Sequence, residues 1–118
     1  MANPKETLVK IPYHIFESVD IRIGTITKAE PFPEARNAAY KLTIDFGEVI
    51  GIKRSSAQIT DHYTLETLTG KQILAVVNLE PRQIRPFISE VLTLGVVDAK
   101  GVILLVPDIK APNGTRMS

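Results

Sequence analysis

The chain has 118 residues, enough for one domain that buries roughly two-thirds of its unfolded surface without a metal or disulfide staple. Apolar residues make up 44%, charged residues 23% and the net charge is +1, a globular balance that lacks the basic surplus by which a nucleic-acid binder announces itself in composition. Cysteine is absent, which excludes disulfides, thiolate metal sites and thiol catalysis.

Residues 1–12, MANPKETLVKIP, lack the apolar core of a signal peptide and read as an extension ahead of one domain over residues 13–118. Pro12–Ser18 reads as a short helix, with Pro12 near its first turn and Ile15, Phe16 and Val19 as an apolar stripe. Asp20–Glu30 alternates like a strand: Ile21, Ile23, Thr25 and Thr27 point one way, Arg22, Gly24, Ile26 and Lys28 the other. Gly24 inside that run predicts a bend. Pro31-Phe32-Pro33 opens a loop through Asn37. Tyr40–Phe46 is a second strand, Gly47-Glu48 a turn and Val49–Arg54 a third strand, together a hairpin. Ser55–Leu68 has turn and helix character, with Thr64 as a cap ahead of Glu66 and Gly70 closing the helix in the left-handed conformation. Lys71–Asn78 is a fourth strand, followed by a turn that carries Arg82 and Arg85. Ile88–Val97 is a fifth strand, Val102–Val106 a sixth, and Pro107–Gly114 a loop-rich tail. The longest apolar runs, ILAVV and GVILLV, are too short to span a bilayer, so a cytoplasmic protein without membrane insertion is expected.

Three strands, a helical connector and then further strands is the order of an oligonucleotide-binding (OB) barrel. The expected class is all-β with minor α: a five-stranded OB-fold barrel with a short N-terminal helix and an additional C-terminal strand. A strand with one wet face alternates apolar and polar residues. ILAVV, VLTLGVV and VILLV do not, so their outer faces need a cover. A second subunit in a homodimer is the economical cover; the alternative is a monomer whose tail folds over these strands.

Catalytic constellations are missing. His14 and His62 lie in different segments with no carboxylate at metal-ligand spacing, and read as a helix polar-face residue and a loop residue. Ser55-Ser56 lacks a Gly-x-Ser-x-Gly elbow, Asp20, Asp45 and Asp61 are scattered, and there is no Gly-rich phosphate loop. No catalytic residue, metal site or cofactor is expected.

Binding chemistry is better represented. Lys53-Arg54-Ser55-Ser56, at the end of the third strand, combines two cations and two hydroxyls that suit phosphate oxygens; the alternative is a solvated strand end. Asn78, Arg82 and Arg85 surround the next strand-to-loop junction, and Ser89-Glu90 stands just before the apolar run VLTLGVV. In an OB barrel such strand ends and loops form the ligand face, and arginine planes stack on unpaired bases as well as bind phosphate. Asn78 as a turn cap and Arg82 paired with Glu80 or Glu90 are the structural alternatives. Phe32 and Arg36 add another edge to the face. With aromatics at 6% and no tryptophan, a stacking platform for long single strands is not supported, and recognition of a folded RNA by shape fits better.

The strings DIRIGTI, PFPEAR, AYKLTIDFG, GIKRSSAQIT, GKQILAVVNLEPRQI, SEVLTLG and the late PNG resemble the CsaA proteins of the tRNA-binding-domain family, over Val19 to Met117. Relatives include the C-terminal domain of many methionyl-tRNA synthetases and the cytokine-like domain of the multisynthetase complex. The resemblance implies a cytoplasmic, non-catalytic OB-fold homodimer that acts as an export-related chaperone for unfolded or pre-export polypeptides, while relatives bind tRNA through its folded shape. It implies a binding face on Ser55, Ser56, Asn78, Arg82, Ser89 and Glu90, with Lys53, Arg54 and Arg85 at its rim. Many tRNA-binding relatives carry Ser-Glu-Gly-Met where this chain has Ser89-Glu90-Val91-Leu92, and are more basic; both departures favour the chaperone branch. Two functions are therefore expected to compete for one face. Polypeptides would lie in a mixed apolar-polar groove around Asn78, Ile84, Phe87 and Ser89, and tRNA would meet Lys53, Arg54, Arg82 and Arg85.

Overall fold

A computed structural model describes residues 7–118; the first half of the expected N-terminal extension lies outside the described residues. Helix α1 (Tyr13–Glu17) precedes the long strand β1 (Ile21–Pro31), then β2 (Tyr40–Asp45), the helical turn α2 (Gly47–Ile50) and β3 (Ile52–Ala57). Helix α3 (Leu65–Leu68) leads to β4 (Gln72–Val76), β5 (Arg82–Ile84), β6 (Phe87–Ser89), β7 (Leu92–Thr93), β8 (Gly95–Asp98) and β9 (Gly101–Leu104). Five strands form one antiparallel sheet in the order β3-β2-β1-β4-β7, while β5-β6 and β8-β9 are separate hairpins. The five-stranded sheet curls into a nearly closed barrel of the OB type, mostly strand with short helices, as expected.

The barrel is made by β1. Its first half pairs with β4 over Ile21–Thr25, and its second half pairs with β2 over Thr25–Pro31. A bulge between Ile26 and Lys28 turns the strand between the two partners. Alternating inward residues of β2 and β4 then meet across the interior. Leu42, Ile44, Phe46 and Ile73 are fully buried, with Ile26, Ile59 and Leu68 beside them. The helix before β4 begins after Thr64 as expected, but the hydroxyl that accepts the Thr64 N–H belongs to Thr67 (3.1 Å) rather than to an acidic side chain. Gly70 follows it at φ +91°.

Three expectations need correction. The Gly47-Glu48 turn is a full helical turn: Asp45 accepts the Gly47 N–H (2.8 Å), and Gly51 N–H donates back to Gly47 O (2.7 Å). Val49 stands exposed on it, so the third strand starts at Ile52, not Val49, and Ser55 and Ser56 lie within the strand. The expected single strand Ile88–Val97 is three, because the chain turns at Glu90 to bond with β3 and turns again before Gly95. The turn expected around Arg82 and Arg85 is itself the hairpin β5-β6, with Ile84 opposite Phe87 and Arg85-Pro86 at the tip.

The tail does more than loop. Gly114 N–H donates to Ile23 O (2.7 Å), Ile23 N–H to Thr115 O (3.0 Å) and Met117 N–H to Ile21 O (2.8 Å). It thus occupies the half of β1 that β2 leaves free. Arg116 donates to the Glu17 carbonyl (2.7 Å), which ties α1 to the tail.

Asp20 sits at this junction, gripped by Arg22 through Nε–Oδ1 (2.7 Å) and Nη2–Oδ2 (3.2 Å), with Arg116 at 3.5 Å. The Arg22 hydrogen bond holds the Asp20 carboxyl below the ordinary value of 3.8 against an opposing desolvation, and the charges of Arg22 and Arg116 add to it. A carboxyl with a lower pKa folded than unfolded adds stability above its unfolded value and loses it as pH falls through the folded value. Asp20→Asn is therefore expected to be less stable than the parent at neutral pH, with the gap closing as pH drops below 3.8. Urea unfolding midpoints across that range check this; a gap that stays constant into acid would refute it.

Candidate functional site

Part of the binding face expected from the sequence collects around β3 and the β5-β6 hairpin. Ser56, Arg82, Ser89 and Glu90 line one recess together with Leu79, Glu80, Val91 and Leu92. A second recess, which shares Ser56 and Arg82, adds Arg36, Asn37 and Gln58. A third, beyond Glu90, is lined by Lys41, Arg54, Pro86, Phe87 and Ile88. Four of the nine expected residues thus share one concavity.

The other five take different positions. Lys53 reaches Glu90 at 3.9 Å, and Arg54 reaches Glu30 at 3.1 Å while its guanidinium lies 4.7 Å from the centre of the Phe87 ring. Both cations are therefore already engaged. Ser55 faces the interior: it is fully buried, and its hydroxyl accepts the Thr93 hydroxyl at 2.9 Å. It holds β3 to β7 and presents nothing to a ligand. Arg85 projects from the hairpin tip in a left-handed backbone conformation, φ +56°. Asn78 sits next to Leu79 in sequence, but its side chain turns toward α1. Its Oδ1 accepts the Asp20 N–H (2.9 Å) and its Nδ2 donates to Ser18 O (2.8 Å). Of the two readings of Asn78, the cap is the one its contacts match.

Ser89 is nearly buried and joins the barrel to the hairpin, since its hydroxyl accepts the Ser56 N–H at 3.0 Å. Glu90 is a second fastener: its N–H donates to Arg54 O (2.8 Å) and its carboxylate accepts the Arg54 N–H (3.0 Å). Arg82 pairs with neither Glu80 nor Glu90. Arg36, Lys41, Arg82 and Arg85 have no carboxylate within 4.0 Å among the described residues. Phe32 is not an edge of the face; it is buried against Phe87, with ring centres 5.3 Å apart, under the Lys41 ammonium.

Sequence reasoning missed Lys41, Gln58, Leu79 and Glu80 as members of the face. Strand pairing was the signal for Lys41, which lies opposite Ser56 in the β2-β3 register. His62 lies outside the helices and strands, as expected, and contacts Asp98 of the β8-β9 hairpin at 3.1 Å. That hydrogen bond is the first cause of a lowered Asp98 carboxyl pKa, followed by the Lys100 N–H. Among the described residues no three His, Asp or Glu side chains gather as a metal site, and no helix is long and apolar enough to cross a membrane. The arrangement offers hydrogen-bond donors, cations and small apolar surfaces around a strand edge, which is binding chemistry.

The family described as "Putative tRNA binding domain" matches residues 21–116. The chain is 34% identical over 118 residues to a methionine–tRNA ligase of Flavobacterium johnsoniae, covering 99% of this chain and 16% of the ligase. A methionine–tRNA ligase of Chlorobium chlorochromatii is 37% identical over 105 residues, covering 88% and 14%. This chain therefore spans only a small fraction of those relatives. Among solved structures, the CsaA chaperone of Bacillus anthracis is 51% identical, with a TM-score of 0.87, covering 93% of this chain and 100% of that one. The CsaA chaperone protein of Picrophilus torridus is 49% identical, with a TM-score of 0.88 and coverage of 92% and 100%. Set against the β3-centred face described above, these matches show that the chain belongs to the tRNA-binding-domain family, on its CsaA branch.

Proposed function

We propose that the protein is a non-catalytic, CsaA-type chaperone that holds unfolded or pre-export polypeptides on the face around β3 and the β5-β6 hairpin. The observation that carries this reading is the mixture in the Ser56–Arg82–Ser89 recess: Leu79, Val91 and Leu92 stand beside two carboxylates, Glu80 and Glu90. Carboxylates repel phosphate, whereas apolar side chains with hydrogen-bonding neighbours suit a peptide. The similarity to two CsaA chaperones at about half identity supports it. The protein is expected to slow the aggregation of a chemically denatured client without ATP, followed by light scattering. No effect at a several-fold molar excess would refute the chaperone reading. A cytoplasmic location goes with it, since such clients are held before export.

A second reading, a tRNA-shape binder on the same face, is favoured by a different observation. Arg36 and Arg82 line one recess with Asn37 and Gln58, and neither arginine has an acidic partner among the described residues. If both readings hold, tRNA and an unfolded client compete. Under either one, Ser56, Arg82, Ser89 and Glu90 form the centre of the proposed face, Lys53, Arg54 and Arg85 its rim, and Ser55 and Asn78 its support.

We also propose that the protein works as a homodimer. Val96 and Val97 of β8, Ile103 of β9 and the following Leu105 and Val106 are exposed, and α1 buries none of its residues although it carries Tyr13, Ile15 and Phe16. Exposed apolar side chains in this number are candidates for an interface. The domain is taken to run over residues 13–118 with α1 included, because Asn78 and Arg116 fasten that helix to the barrel. Sedimentation at micromolar protein is expected to show a dimer; a clean 13.0 kDa species would exclude it.

A further inference from the structure

The strap that closes on β1 begins with a turn, Pro112 to Thr115, and its two central residues are Asn113 and Gly114. An asparagine followed by glycine is prone to attack by the next backbone nitrogen on its side-chain amide, because glycine has no Cβ to hinder the approach. Here the pair is held against that reaction from several sides. Asn113 Oδ1 accepts the Thr25 hydroxyl (2.8 Å) and the Gln72 amide (3.2 Å), which fixes the side chain against β1 and β4. The Gly114 N–H donates to Ile23 O (2.7 Å), and the Thr115 N–H closes the turn on Pro112 O (3.1 Å). The backbone has no slack either. A Cβ on Gly47 would lie 2.7 Å from Asn113 O, and one on Gly114 would lie 2.5 Å from Phe46 O. The nitrogen and the amide carbon therefore come together only when the turn leaves β1.

The strap is built to leave before the barrel opens. Beyond the turn it is held by Ile23 N–H to Thr115 O, by Met117 N–H to Ile21 O and by Arg116, and residues 115–118 are exposed. A segment with so little buried apolar contact opens at a free energy below that of global unfolding.

We propose that Asn113-Gly114 is a conformation-gated modification site: closed while the strap is seated, open when it lifts, and locking the strap off once used. In the open state the Gly114 nitrogen bonds to the Asn113 side-chain carbon. Its proton and the amide nitrogen leave together as ammonia, giving a cyclic imide. Water then opens the imide, with no change of oxidation state. Cleavage at the side-chain carbonyl leaves aspartate; cleavage at the main-chain carbonyl leaves isoaspartate, whose chain runs through the former side-chain carbon. Aspartate keeps the backbone path and an oxygen that accepts from Thr25 and Gln72. Isoaspartate lengthens the backbone in a turn where Gly47 and Phe46 leave no room, so the Gly114 N–H no longer reaches Ile23 O. Loss of the strap bares the half of β1 that it covers, an unpaired strand edge, and removes the Arg116 tie to α1. This device stands apart from the choice of ligand for the β3 face.

The test incubates the intact protein at mildly alkaline pH, folded and in urea, and follows the 111–116 fragment released by trypsin by mass spectrometry. Conversion is expected to be at least roughly tenfold slower in the folded protein, because it tracks the population of the open strap. Arg116→Ala cuts the contacts to Glu17 and Asp20 and is expected to speed conversion several-fold in the folded protein, with no change in urea. Equal rates folded and in urea, or no response to Arg116→Ala, overturn the gating. The isoaspartyl protein, separated by chromatography, is expected to lose hydrogen-exchange protection at the Ile23 N–H, while Asn113→Asp keeps it near the parent. Protection retained in the isoaspartyl form overturns the locking. Protection lost in Asn113→Asp as well would place the cause in the new charge and overturn the lengthened backbone as the lock.

Discussion

Gly24→Ala is expected to lower stability by about 1–3 kcal/mol, a fall in Tm of roughly 5–15 °C, although it adds one methyl group to a strand. A Cβ at this position would lie 2.6 Å from Ile44 Cγ2 and 2.7 Å from two ring carbons of Phe46. Both neighbours are fully buried and belong to the main core, so neither has room to retreat. A bulky residue in the middle of β1 would push the β2 side of the barrel outward at the place where β1 passes from β4 to β2. Such overpacking is specific to its partner, which gives a second readout. In a Phe46→Leu background the ring carbons are gone, and Gly24→Ala is expected to cost clearly less than in the parent. Strictly additive changes in urea unfolding would show that the cost has another origin.

The same residue shows how far the sequence could be read. Gly24 in an alternating run reads as a bend, but the register irregularity of β1 lies at Ile26/Lys28, and what the glycine accommodates is the close approach of Ile44 and Phe46. Alternation made β2 legible, where Leu42 and Ile44 are buried between polar neighbours; β4 was legible instead as a short apolar run, and in β1 the buried Ile26 lies on the face that carries Arg22 and Lys28 in the sequence pattern. The pattern failed where apolar residues are exposed. Val49 looked like the start of a strand, yet it sits on the outside of α2. The run from Ile88 to Val97 is rich in β-formers but breaks at Glu90, because that residue's N–H and carboxylate both turn to Arg54. The binding face was legible as a neighbourhood rather than as a set of roles. Arg82, Ser89 and Glu90 do meet Ser56, but composition cannot distinguish a serine that faces solvent from one whose hydroxyl holds two strands together, as in Ser55. Asn78 illustrates the same limit. An asparagine after a strand reads as a turn residue or a ligand contact, and only the position of α1 shows that its amide is already used.

Arg82→Ala and Arg36→Ala are each expected to lower tRNA affinity roughly tenfold at low salt, and to reduce the slope of log affinity against log salt by about one. The reason lies in which cations are free. Lys53 is occupied by Glu90 and Arg54 by Glu30, so phosphate must first displace a carboxylate to use either of them. Arg36 and Arg82 face a recess with Asn37 and Gln58 and carry no such burden. Lys53→Ala is therefore expected to change tRNA affinity less than Arg82→Ala, the reverse of what clustering of charge along the sequence implies. Arg54→Ala is expected to act mainly on stability, because its guanidinium covers the Phe87 ring that packs on Phe32. Filter binding or fluorescence anisotropy across a salt series separates these cases. Equal losses for Lys53→Ala and Arg82→Ala would mean that the Glu90 pair opens freely in solution. An unchanged affinity and slope for Arg82→Ala would remove tRNA from this face.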